Sequence, residues 1–206
     1  VAPSEQPILG HTLPVPPTRW DNPAVTEDDG DLTRLGGKGA NLQRLAGAGL
    51  PVPRFVVIET GEYREFVDRA GLHATIFDAL ASGDTAAASD TIRAAFARGR
   101  MSRAQRARIS SAVAPFGSGR VAVRSSGTAE DLPGLSFAGL HDSFLDVAGP
   151  QDILVRVIAC WSSLWTERAI AYRSRNGIEH EDLAVAVIVQ DMVPAEAAGV
   201  MFTANP

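Results

Sequence analysis

Apolar positions in this chain switch between two spacings. Phe55-Val56-Val57-Ile58 is a short unbroken apolar run after Pro53, the pattern of a buried strand. Arg120 to Ser125, with Val121 and Val123 inside it, reads as a second strand, Leu140 to Val147 as a third and Leu183 to Gln190 as a strong fourth. Beyond a bend at Pro194, Ala198 to Thr203 predicts a last strand. Elsewhere the spacing is helical. Ala40 to Ala46 predicts a short helix, opened by Gly36-Gly37-Lys38-Gly39 and ended by Gly47 and Gly49, with Pro51 and Pro53 preventing its restart. Thr60 is placed to cap a helix over about 61–70, which stops at Gly71. Over 72–115 the pairs Ile76/Leu80, Ile92/Phe96 and Ile109/Val113 predict two or three helices, with breaks at Ser82-Gly83-Asp84 and Gly99 to Ser102. Helices follow over 153–165 and 167–175, the second ended by Asn176-Gly177.

Two segments follow neither period. Residues 1–30 carry Pro3, Pro7, Pro14, Pro16, Pro17 and Pro23 and the acidic run Glu27-Asp28-Asp29, which predicts an irregular arm. Residues 125–139 are small and polar and predict a long loop; loops of that length in a compact domain are often functional. The order of elements is that of an α+β chain with helices on a mixed sheet. The expected division is an arm over 1–34 and a domain over 35–206, helical over about 60–115 and carrying the loop and most of the sheet over about 118–206.

Composition narrows the class. The chain has 206 residues, 45% hydrophobic and 21% charged, enough for a packed core and against a disordered chain. No apolar run reaches the roughly 18 residues of a membrane span, and Val1 to Arg19 has no apolar signal region. Cys160 is the single cysteine, which excludes an intrachain disulfide and a cysteine-based zinc site. These features lead to the expectation of a cytoplasmic protein with no membrane partner. The net charge of −5 argues against a nucleic-acid partner. The cluster Arg98, Arg100, Arg103, Arg106 and Arg108 lacks interleaved aromatics and reads as a solvated helix face. Of the 19 basic residues, Lys38 is the sole lysine.

Three stretches can carry chemistry. Glycines before a helix let backbone N–H groups approach an anion, and Lys38 adds a full charge there. The spacing is not that of a Walker A loop, because Gly39 stands where Ser or Thr would follow the lysine; a plain helix-entry turn with a surface lysine gives the same pattern. Arg124 ends an apolar strand before a loop with hydroxyls at Ser125, Ser126, Thr128 and Ser136. Such a loop can fold over a polyphosphate while Arg124 forks a phosphate oxygen; an ordinary surface loop is the alternative. Val187 to Pro194 is a buried strand that turns polar and bends, either a core strand with its turn or a linker whose backbone reads a base edge.

In this order these stretches resemble the N-terminal nucleotide-binding domain of the phosphoenolpyruvate synthase, pyruvate phosphate dikinase and rifamycin phosphotransferase family. The resemblance runs from about Leu35 to Pro206. It rests on GGKGANL (36–42), VAVRSSGTAEDLPGLSFAGLHDSF (121–144), SLWTERAIAYRSRNG (163–177), AVIVQDMV (186–193) and GVMFTANP (199–206). It implies an ATP-grasp fold, incomplete here, holding the first subdomain and the start of the second. By position, it implies that Lys38 and Arg124 contact phosphates and that Gly139 and Ser143 belong to the phosphate loop. Gln190, Met192, Val193 and Pro194 then form the adenine-pocket linker. The implied activity is ATP cleavage to AMP, with the β-phosphate passed through a phosphohistidine to pyruvate or a rifamycin-like acceptor. Gly127, Gly134 and Ser143 depart mildly from the family pattern. The family's magnesium-binding acidic residue, the rest of the ATP-grasp fold and the phosphohistidine domain fall beyond the position of Pro206. None of His11, His73, His141 and His180 matches the catalytic histidine, and Glu130 and Asp131 read as solvated loop charges. The expected partners are therefore ATP, Mg2+ and that missing half with its phosphohistidine domain, in cis or as a separate chain. The competing expectation is a non-catalytic half-domain serving as a nucleotide-binding or protein-interaction module.

Overall fold

A computed structural model describes residues 31–128, 142–180 and 183–199. The helices are α1 (Leu32–Gly47), α2 (Thr60–Arg69), α3 (Leu72–Ala81), α4 (Thr85–Arg98), α5 (Arg103–Val113), α6 (Pro150–Ser162) and α7 (Glu167–Arg175). The strands are β1 (Phe55–Ile58), β2 (Arg120–Gly127), β3 (Ser143–Ala148) and β4 (Val185–Asp191), in the spatial order β1-β4-β2-β3. Each of the three pairings is antiparallel, where the sequence reading expects a mixed sheet. The reason is topological. β1 and β2, joined by the helices α2 to α5, run the same way, but β4 inserts between them and runs opposite to both.

Both faces of this sheet are covered around β4, so Val185 to Gln190 are all buried and no alternation shows in the sequence. On one face Val121, Val123, Val185, Val187 and Val189 pack against helices that contribute Phe66, Phe96, Trp161 and Trp165. Tyr63 Oη accepts a hydrogen bond from Trp165 Nε1 at 3.1 Å inside this core. On the other face Phe55, Val52 and Ile188 pack under α1, against Leu42 and Ala46. The register slips between Val121 and Val123, and Asp146 on β3 has φ 63°, the mark of a bulge that bends this edge strand.

Several boundaries differ from the sequence reading. The helix expected from Ala40 begins at Leu32, so Leu32 to Arg34 form a helical turn ahead of the expected start. Asp31 caps it, its carboxylate accepting from the N–H groups of Thr33 at 2.8 Å and Arg34 at 3.3 Å. The helix breaks at Gly36, where φ is 67°, and resumes. Thr60 does not cap α2: its hydroxyl donates to Thr33 O at 2.8 Å, fastening α2 to the start of α1. β2 runs two residues beyond Ser125, to Gly127. Breaks at 82–84 and 99–102 separate α3, α4 and α5 as expected. Ala198 and Gly199 have no regular structure, and the rest of the expected last strand lies outside the described residues, as does the arm over 1–30.

The arginine cluster of α4 and α5 is largely engaged within the fold. Arg108 forks the Glu62 carboxylate at 2.8 and 3.0 Å and also reaches Glu65, tying α5 to α2. Arg106 bonds Gln151, and Arg100 bonds the carbonyls that end α4.

Candidate functional site

The first and second chemical stretches meet at one end of the sheet. Ser126 is wholly buried on β2. Its hydroxyl donates to Leu35 O at 2.9 Å and accepts from Gly39 N at 3.0 Å, so it clasps α1 on both sides of the break. Gly36 lies so close that a Cβ there would stand 2.2 Å from Ser126 O. Glycine is needed at this point for the close approach of backbone to backbone as well as for its positive φ. The Gly39 N–H is thus used inside the fold and is not among the donors an anion would find. Lys38 leaves α1 beside this clasp, and its Nζ donates to Ser125 O at 3.3 Å, across 87 residues of sequence.

Arg124, half-buried, sits one residue before Ser125 and lies in register with Ser143 on β3 and Ile188 on β4. Directly paired residues of an antiparallel ladder present their side chains on the same face. Arg124 and exposed Ser143 therefore share the sheet face that carries α1. Three of the hydroxyls expected to serve phosphates are already engaged. Ser125 Oγ donates to Asp142 O at 3.1 Å, Ser126 Oγ to Leu35 O, and Thr128 Oγ1 to Ala184 O at 3.2 Å. The cause is that these residues extend β2 or close its end, and buried hydroxyls must find partners. Gly139 and Ser136 lie outside the described residues, with His141, Glu130 and Asp131.

The third stretch is fastened at the opposite end of β2. Gln190, nearly buried, lies in register with Ala122, and its Nε2 donates to Pro53 O at 3.2 Å. The Asp191 N–H donates to Arg54 O, and the Met192 N–H donates to Arg120 O. The linker N–H groups left for a ligand therefore begin at Val193, whose side chain is exposed. Pro194 follows in the open and supplies no N–H. Sequence reading missed Arg54, whose guanidinium pairs with Asp191; its only signal was a lone charge before an apolar strand.

Arg124 and Gln190 are diagonal neighbours on one face, roughly 7–8 Å apart at Cα. Met192, held at the level of Arg120, stands about 13 Å along the sheet from Arg124, at about 3.3 Å per strand residue. The face thus has Lys38 and Arg124 at one end and a backbone-rich linker at the other, beside Arg120, whose guanidinium bonds Asp146 O. A long anion with an apolar head fits along it. Among the described residues no group of His, Cys, Asp or Glu could hold a metal ion. Cys160, buried behind β2 with its thiol toward Val123 O, is pushed up from its usual pKa by burial and by Asp142, which keeps it unreactive. A separate cleft of about 280 Å³ between β1, α2 and α5 contains none of the expected residues. Its Glu62 and Arg108 pair with each other.

Comparison with known proteins gives the following matches. The profile of the pyruvate phosphate dikinase AMP/ATP-binding domain matches residues 32–206. The chain is 40% identical over 190 residues to a probable phosphoenolpyruvate synthase of Archaeoglobus fulgidus, covering 87% of this chain and 25% of that protein. It is 42% identical over 188 residues to a probable phosphoenolpyruvate synthase of Methanocaldococcus jannaschii, covering 85% and 16%. It is 38% identical over 188 residues to a rifampicin phosphotransferase of a Streptomyces species, covering 87% and 22%. The chain thus spans a quarter or less of the length of these relatives.

Proposed function

The chain belongs to the pyruvate phosphate dikinase AMP/ATP-binding domain family, and from that membership we propose that it is the ATP-binding part of a dikinase-type phosphotransferase. In this reading ATP lies along the α1-bearing face of the sheet, its phosphates at Lys38, Arg124, Gly139 and Ser143. Its adenine sits at the linker of Gln190, Met192, Val193 and Pro194. The β-phosphate passes to a histidine outside this chain as AMP departs, and from there to an acceptor such as pyruvate or a rifamycin-like compound. The observation that carries the reading is that Lys38, bonded to Ser125 O, is brought from a distant part of the sequence to the residue next to Arg124, at one clasp on the α1-bearing sheet face.

Within the site each residue has a separate task. Arg124 presents a planar fork that pairs with two phosphate oxygens and fixes their orientation. Lys38 is a compact charge on a flexible stem, able to follow the phosphates as they settle. Ser126 holds the two at a fixed spacing without touching ligand. Mg2+ would neutralise phosphate charge during transfer; its ligands are proposed to lie outside the described residues.

Lys38 makes the test clean, because an amine reagent meets one lysine side chain. ATP is expected to slow modification of Lys38 while adenosine does not. Unchanged labelling at ATP concentrations shown to saturate the protein would remove Lys38 from the phosphates.

A further inference from the structure

The residue before β1 is joined to the last residue of β4 more firmly than a sheet ladder requires. Arg54 Nε donates to Asp191 Oδ2 at 2.9 Å and its Nη2 donates to Oδ1 at 3.2 Å. The fork is backed by an aromatic platform, the guanidinium carbon lying 4.9 Å from the centroid of the buried Phe116 ring. The same two residues are bonded through the main chain, Asp191 N to Arg54 O at 2.9 Å. One residue earlier, the Gln190 side chain is tied to Pro53 O. Residues 53 and 54 therefore grip residues 190 and 191 at several points, immediately before the chain leaves the sheet as the linker 192–194.

On its β2 side the strand end is held by the main chain alone, through the Met192 N–H bond to Arg120 O, whereas on its β1 side a side-chain pair is added to the main-chain bond. A two-point guanidinium–carboxylate pair, stacked on a ring, restricts rotation there because both planes are fixed. The Arg54–Asp191 pair on one side and the Met192 bond to Arg120 O on the other together set where Met192 and Val193 point. We propose that Arg54 is a positioning residue for the nucleotide base, acting through Asp191 to hold the linker in its base-accepting orientation. The proposal rests on the reading that ATP binds with its adenine at this linker. Arg54 itself touches neither base nor phosphate in this arrangement. Its effect is therefore confined to the base half of the ligand, while Lys38 and Arg124, at the far end of the face, keep theirs.

Affinities for ATP and for inorganic tripolyphosphate, measured on the full encoded polypeptide, separate the two halves of the site. Arg54→Ala is expected to weaken ATP binding about fivefold, the size of a typical positional coupling, and to leave tripolyphosphate within twofold. Asp191→Asn is expected to do the same, and the double variant to be no worse than either single one. Arg54→Lys keeps the charge but not the fork and is expected to recover less than half of the loss. Exchanging the pair, Arg54→Asp with Asp191→Arg, is expected to recover most of it. ATP binding unchanged in Arg54→Ala would overturn the proposal and leave the base site standing. An equal loss for ATP and tripolyphosphate would also overturn it, since that is the mark of a general loss of structure. A wild-type protein that binds ATP no better than tripolyphosphate would remove the base site itself, and the proposal with it.

Discussion

Arg124 and Arg103 are both arginines of an arginine-rich chain, and the fold gives them different work. Arg124 is half-buried on the sheet, one residue before the Ser125 carbonyl that Lys38 reaches, whereas Arg103 opens α5 in solvent. Removing a charged hydrogen-bond partner of phosphate costs about 1.5–3 kcal/mol, so Arg124→Ala is expected to weaken ATP binding at least about tenfold. Arg103→Ala is expected to stay within about twofold, and calorimetric titration of the two variants decides. His180 carries a prediction about pH. Its Nδ1 accepts from Arg173 Nε at 3.1 Å, and Arg173 is itself buried over the Trp165 ring, its pKa lowered to about 10 by burial. Burial, and then the Arg173 charge, hold the His180 pKa below its ordinary 6.5. As pH falls through 6.5 the unfolded chain therefore takes up this proton before the folded one does. Stability from this group is complete above that pH and declines below it. Urea midpoints compared at pH 7.5 and 5.5 are expected to fall with acid in the native chain and to fall less in His180→Gln.

At the scale of elements, the position of α1 on β2 decides whether the two cations meet. The clasp has one hydroxyl in two bonds and one glycine at van der Waals limit, so it tolerates little change. Gly36→Ala introduces a Cβ against the Ser126 carbonyl and a side chain at φ 67°, which together are expected to cost about 2–4 kcal/mol. Gly49 has φ 76° but open space around it, so Gly49→Ala is expected to cost only about 1–2 kcal/mol. Chemical denaturation of both variants separates the crowding from the backbone preference. Equal losses would mean that α1 yields easily and that the clasp does not fix the position of Lys38.

For the whole molecule, the decisive fact is how much of each relative the chain matches. It covers 25%, 16% and 22% of the three relatives named above. On the proposed reading the α1-bearing sheet face contacts one side of the nucleotide, and each charged contact to be supplied from outside the chain is worth about 1.5–3 kcal/mol. The 206-residue chain by itself is expected to bind ATP with a dissociation constant of roughly 0.1–1 mM. On the proposed reading, in which the metal ligands and the phosphohistidine lie outside this chain, it is also expected to form no AMP. Chromatographic assay for AMP tests this directly, and clear turnover by the isolated chain would show that the site is complete within it.

The local signals of this sequence were sufficient for most elements. Glycine and proline punctuation located the breaks between α3, α4 and α5, and apolar runs located β1, β2 and β4, because these signals act through a residue's own backbone and its nearest neighbours. The motifs around Lys38, Arg124 and Gln190 were sufficient to indicate the family. What the sequence left undetermined depends on contacts between distant residues. That β4 lies between β1 and β2 follows from which apolar faces bury best together, and no periodicity encodes that choice. Ser125, Ser126 and Thr128 read as free donors, but β2 continues through them and they bond to Asp142, Leu35 and Ala184. The glycines before Lys38 read as an anion cradle, but Gly36 meets the Ser126 carbonyl. Arg54 and Asp191, 137 residues apart, form their pair only when β1 and β4 are side by side. The sequence by itself determined the local elements and the kind of chemistry present. Tertiary structure decided which donors remain for a ligand, because an unpartnered buried hydroxyl is costly and the partners of Ser125, Ser126 and Thr128 come from other parts of the chain.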